Sequence, residues 1–218
     1  MRRITIYFDK LVKIIPSKYF GIFSVTFGVL GDIISYLLFP CSEYNLLRQA
    51  VSALCLGNGG IFFNIGNIFS GVCALIFVNS FSRIFNEEQV SGSIKRSAII
   101  TANISCICFI ILGIFCGSNI IIAYIHGIAA LSSWGFGFFY FTFFNILMFQ
   151  DSKFSKNLAI IGFIVPIFLG LLMIIFFLHL IPIFRFLVVI LPFLEWMNTF
   201  VVIFWYYLIP FYMIYKKI

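Results

Sequence analysis

Residues 120–149 read IIIAYIHGIAALSSWGFGFFYFTFFNILMF, thirty residues without an Asp, Glu, Lys or Arg. About 20 apolar residues in a helix cross the hydrocarbon core of a bilayer. A water-soluble helix of this composition would have no polar face to wet. The run therefore predicts a transmembrane helix, tilted or with its first turns outside the core. His126 lies in its first half, and the imidazole needs an explanation.

The rest of the chain agrees. Of its 218 residues, 63% are hydrophobic and 10% are charged, and the mean hydropathy is +1.15. A soluble domain cannot hide that much apolar surface, so lipid must cover it. Further apolar runs at 19–39, 60–81, 97–116, 157–179 and 192–214 give six spans in all. The expected fold is an all-α, six-helix membrane bundle filling 19–218. Residues 1–18 read as a basic amphipathic segment lying on the membrane surface and ending near Pro16. Ile4, Tyr7, Phe8, Leu11, Val12 and Ile15 form its apolar side, and Arg2, Arg3, Asp9, Lys10 and Lys13 the other.

A net charge of +7 in a soluble chain would point to nucleic acid. Here the basic residues lie between spans, so they report orientation, and membrane lipids are the expected partners. With the N-terminus inside, twelve basic residues fall on the inner side: Arg2, Arg3, Lys10, Lys13, Lys18, Arg83, Lys95, Arg96, Lys153, Lys156, Lys216 and Lys217. Only Arg48 and Arg185 fall outside. The positive-inside rule then places both termini in the cytoplasm of a cell-membrane protein.

That topology brings unusual polar residues to one side. Asp32 sits in the outer third of the first span, on a stripe with Ser24, Gly28, Gly31 and Ser35. Such a small, polar stripe faces other helices. Asn64 lies near the outer end of the second span, and His126 near that of the fourth. Glu195, with Trp196, opens the sixth behind Pro192, where the helix dipole favours a carboxylate. The first outer loop adds Arg48 and Ser52. Candidate catalytic residues are His126, Asp32, Glu195 and Ser52; candidate ligand-binding residues are Arg48, Asn64 and Trp196. Each also has a structural explanation, including a staple between Asp32 and Arg48, or a neutral His126 bonded to a carbonyl. The group as a whole favours a site.

The six cysteines contain no CxxC pair and no zinc spacing. No cofactor is expected, although a single divalent metal remains open. Cys41 and Cys55 share the first outer loop and can pair if that side is oxidising. The Phe and Tyr residues read mainly as lipid-facing bulk, and GFGFFYFTFF (135–144) as packing. Gly162, Pro166 and Gly170 predict a kinked fifth helix.

Three segments carry a family resemblance: QAVSALCLGNGGIFFNIGNIFSGVCALIF (49–77), HGIAA (126–130) and PFLEWMNTFVVIFW (192–205). Together they resemble the family catalogued as domain of unknown function 998, small six-helix membrane proteins of archaea and bacteria. Ser52, Gly57, Asn64, Gly71, His126, Glu195, Trp196 and Trp205 match by position. Pro192 stands three residues before Glu195, where the family more often has Pro directly before Glu. The resemblance implies the same outer cluster and brings no activity with it.

Three functions fit these residues. One is an enzyme acting on a lipid or lipid-linked substrate at the outer leaflet, with Asp32 or Glu195 and His126 as base and acid. In that reading Ser52 is a nucleophile if a base reaches it. The HExxH and GxSxG motifs are absent. A second is a transporter or receptor, although the polar residues do not continue through the inner half. The third is a structural protein whose polar groups fix packing.

Overall fold

The computed structural model describes residues 15–40, 44–117 and 119–218. The expected surface segment falls almost wholly outside these residues. Among them are seven α-helices: α1 Ser17–Leu38, α2 Gly60–Ser82, α3 Gly92–Ile114, α4 Ile120–Gln150, α5 Lys156–Gly162, α6 Ile164–His179 and α7 Leu191–Lys216. Two 3-10 helices, Val51–Leu56 and Pro182–Ile190, join α1 to α2 and α6 to α7. Six stretches are long and apolar enough to cross a membrane, α5 and α6 acting as one. The chain is a polytopic helical membrane protein.

Three boundaries differ usefully from expectation. The third span begins at Gly92, five residues early, because Ser91 closes the preceding loop and the charged Lys95 and Arg96 fit in the first turns. The fifth breaks at Phe163, whose N–H bonds Ile160 and Ile161 instead of continuing the regular ladder. Pro166 cannot donate to a carbonyl one turn back, which accounts for the break. The sixth is preceded by a 3-10 helix where a plain loop was expected. Pro210 lies inside α7.

Neighbours in sequence are neighbours in space. α1 packs on α2, α2 on α3, α3 on α4, α4 on α6, α6 on α7, and α7 returns to α1. The result is a ring of six. The α1–α2 contact is the closest: a Cβ on Gly31 would lie 2.8 Å from the Phe62 carbonyl oxygen and 3.0 Å from the Gly66 Cα. Two backbones meet there because neither residue carries a side chain.

The two ends differ. One gathers Lys18, Arg83, Lys95, Arg96, Lys153, Lys156, Lys216 and Lys217. Near it the bundle centre is filled with rings. Phe77, Phe81, Phe144 and Trp205 are fully buried. Phe81 packs against Phe77, Phe85, Phe144, Phe154 and Trp205 with centroids 5.0–6.0 Å apart. The Trp205 indole donates to Asn145 Oδ1 at 3.1 Å, which satisfies the buried N–H. Asn79 and Asn103 exchange amide hydrogen bonds at 2.7 and 3.2 Å, tying α2 to α3.

The opposite end is held covalently. Cys55, in the first 3-10 helix, is disulfide-bonded to Cys116, just beyond α3. Cys55 therefore does not take the partner that the sequence left possible, Cys41: Cys116 arrives 61 residues later in sequence, but α2 and α3 run out and back, leaving the Cα atoms 6.1 Å apart. Cys73, Cys106 and Cys108 are free.

Candidate functional site

Above the aromatic filling, on the disulfide side, the ring encloses a cavity of about 360 Å³. All six spans line it. Asp32 comes from α1, His126 from α4, Glu195 from α7 and Ser52 from the first 3-10 helix. The four candidate catalytic residues therefore face one space. They reach it by different routes.

Asp32 lies on the α1 stripe that also supplies Ser24 and Gly28 to the wall. Three residues on, Ser35 is fully buried and donates to the Gly59 carbonyl at 2.8 Å. That bond clamps the loop entering α2 onto α1. Asp32 itself makes no hydrogen bond or ion pair among the described residues, and no Arg48 staple forms. Arg48 is exposed and lies off the cavity.

Glu195 lies in the opening turns of α7. Its Oε1 accepts from the Ser52 backbone N–H at 3.4 Å, and the Ser52 hydroxyl also faces this carboxyl group. The Glu195 carbonyl accepts from the Thr199 hydroxyl one turn on, at 3.0 Å. Trp196 does not line the cavity; its indole donates to the Gln49 carbonyl at 3.2 Å and holds the loop against α7. Tyr44, in the same loop, donates its hydroxyl to the Ala50 carbonyl at 2.8 Å. Burial raises the Tyr44 phenol well above its ordinary pKa, and the nearby Glu195 and Asp32 charges raise it further.

His126 is fixed by its Nδ1, 3.0 Å from the Phe115 carbonyl oxygen. A carbonyl only accepts, so Nδ1 carries the proton and donates. In the neutral ring Nε2 then keeps its lone pair. This is the expected carbonyl bond, and it leaves the second nitrogen free.

Deeper in, the walls become apolar, with Val25, Ala74, Phe141, Leu169 and Val202 among them. A few hydroxyls interrupt them. Ser24 and Ser70 are 3.3 Å apart, Ser105 donates to the Ser133 carbonyl at 2.8 Å, and Tyr140 and Tyr206 are paired at 3.2 Å. Asn198 is buried in the wall. Its amide donates to Leu194 at 3.1 Å, and its Oδ1 has no partner. Asn64 also has a buried, unpartnered Oδ1 but lies outside the cavity. The candidate ligand-binding residues Arg48, Asn64 and Trp196 are thus not brought to the cavity wall.

The sequence reading missed two features. The aromatic filling was hidden because Phe is as frequent on lipid-facing surfaces as inside. The Tyr140–Tyr206 pair closing the lower part was hidden because nothing in the sequence links residues 66 positions apart. Among the described residues, no group of three or more His, Cys, Asp or Glu is placed to hold a metal ion. No family model, curated protein or solved structure matches the chain.

Proposed function

We propose that this is a cell-membrane protein with both termini in the cytoplasm, whose outward-facing cavity binds or acts on a lipid or lipid-linked ligand at the outer leaflet. One observation carries the reading. Asp32, Ser52, His126 and Glu195, from four separate segments, face a single cavity backed by packed rings. An ionisable residue inside a membrane is costly unless a function retains it. The lower walls match an apolar chain, and the upper walls match a polar head.

Two independent asymmetries support the orientation. Basic residues collect at the end away from the cavity. The Cys55–Cys116 bond lies at the cavity end, and disulfides persist in oxidising compartments. The packed rings speak against a transport path, because a polar route would have to pass through Phe77, Phe81, Phe144 and Trp205.

Native mass spectrometry of protein extracted with its lipids tests the reading. The wild-type chain should carry a bound lipid-sized species, and Ala130→Trp, which fills the cavity from its wall, should lose it. Equal retention by both would refute the reading. For orientation, Arg48→Cys should react with an impermeant maleimide on intact cells, and Lys95→Cys should not.

The Ser52–Glu195 contact favours catalysis as a second reading. Glu195 is placed to take the Ser52 hydroxyl proton as that oxygen attacks, and to return the proton to the leaving group. Covalent labelling of Ser52 by a fluorophosphonate, abolished in Glu195→Gln, is the expected result. An unlabelled Ser52 in folded protein would leave binding alone.

A further inference from the structure

The cavity has an unbalanced set of charges. Among the described residues, its ionisable wall groups at the disulfide end are two carboxyls and one imidazole, and no Lys or Arg lines it. Neither carboxyl has an ion-pair partner among the described residues; Lys95 and Glu87 do pair, at the far end. Inside membranes carboxylates normally pair with a cation. Here the wall supplies none.

The remaining polar atoms lean the same way. His126 spends its Nδ1 proton on Phe115, so Nε2 offers a lone pair. Asn198 is 96% buried by its 4% exposure, and its Oδ1 has no partner. Two carboxyls, the His126 lone pair and the Asn198 Oδ1 together disfavour phosphate or carboxylate. An anionic head would meet two carboxyls with no arginine or lysine to balance them. An ammonium brings donors and the missing positive charge together, and the aromatic walls, including Trp134 and Phe63, tolerate a cation.

Size restricts the rest of the ligand. A cavity of about 360 Å³ is at the small end of sites that hold one small molecule. It suits one apolar chain beneath the head rather than two.

We propose that the cavity binds an ammonium-bearing ligand with a single apolar chain, its head at the Asp32 and Glu195 end and its chain along the apolar walls below. This rests on the reading of the cavity as a ligand site.

Thermal unfolding of the full chain in maltoside micelles tests it, with decylammonium, decyl phosphate, decanol and butylammonium as probes. Decylammonium should bind roughly tenfold or more tightly than decanol, the worth of one charge-assisted hydrogen bond, and more tightly than butylammonium. Decyl phosphate should not bind. Glu195→Gln and Asp32→Asn should each weaken decylammonium about tenfold while leaving decanol unchanged. Decanol or decyl phosphate binding as well as decylammonium would overturn the ammonium proposal and leave the ligand site standing. Butylammonium matching decylammonium would overturn the apolar chain. Failure of all four probes would overturn both the proposal and the site reading. The probe series on wild-type protein decides the matter even if a variant fails to fold.

Discussion

Asp32 and Ser35 are one helical turn apart on α1, and they should respond to substitution with opposite signs. Ser35 is fully buried and donates to the Gly59 carbonyl at 2.8 Å. Ser35→Ala removes that donor and strands the carbonyl in an apolar setting. The expected loss is about 1–2 kcal/mol. Asp32 faces the cavity with no hydrogen bond or ion pair among the described residues. Asp32 is half-buried, so holding it there unpaired costs at most about 1 kcal/mol, the low end for a buried polar group. Asp32→Leu removes that cost, and the cavity has room for the branched chain. The variant should therefore gain up to about 1 kcal/mol while losing ligand. Reversible unfolding of both variants in mixed micelles gives the two values. A destabilised Asp32→Leu, with Ser35→Ala behaving as stated, would refute the reasoning. It would show that Asp32 holds the bundle together and is not kept for a ligand.

Gly31→Val should cost about 1–3 kcal/mol in the same assay, because its Cβ would press on the backbone of Phe62 and Gly66, which cannot turn aside. Gly127→Ala, with nothing within 4 Å of the new Cβ, should gain roughly 1 kcal/mol from helix propensity. Asn145→Leu should lose about 1–3 kcal/mol by stranding the Trp205 indole N–H, and adding Trp205→Phe should recover part of it; additive losses would show that the 3.1 Å bond contributes nothing. Cys55→Ser with Cys116→Ser should remove the faster-migrating non-reduced species on gels and lower stability by no more than about 4 kcal/mol, the chain-entropy limit for a 61-residue separation. Unchanged migration would mean that the two sulfurs do not pair.

What was legible in the sequence follows from what each interaction depends on. Membrane spans depend on composition over about 20 residues, so the six were readable from one-dimensional runs. The convergence of Asp32, Ser52, His126 and Glu195 was readable because alternating helices put fixed sequence positions at fixed depths. Depth does not give azimuth, however. Asn64 sits at the right height on α2, yet Asn67 and Ser70, one and two turns further along, line the cavity instead. Arg48 was placed on the right side, and only the path of the loop decides that it points outward. The partner of Cys55 was not legible for a related reason. Proximity in sequence favoured Cys41, whereas the return of α3 beside the first 3-10 helix brings Cys116 to Cys55.

That disulfide also bears on how the cavity mouth keeps its shape. Cys55 is three residues from Ser52, whose N–H reaches Glu195, and Cys116 follows Phe115, whose carbonyl holds His126. One covalent bond thus joins the two segments that orient a carboxyl on α7 and an imidazole on α4. Trp196 adds a third tie by holding Gln49 against α7. The loop between α1 and α2 is therefore fixed to α1 through Ser35, to α3 through Cys116 and to α7 through Trp196. Flexible segments usually carry few such ties. A mouth tied on three sides, above walls of rigid helices, would lose little binding energy in ordering itself around the proposed ligand. Such preorganisation would be superfluous if the polar residues served only to pack helices, because Ser35, Asn79, Asn103 and Asn145 already do that with their hydrogen bonds satisfied within the bundle or nearly so.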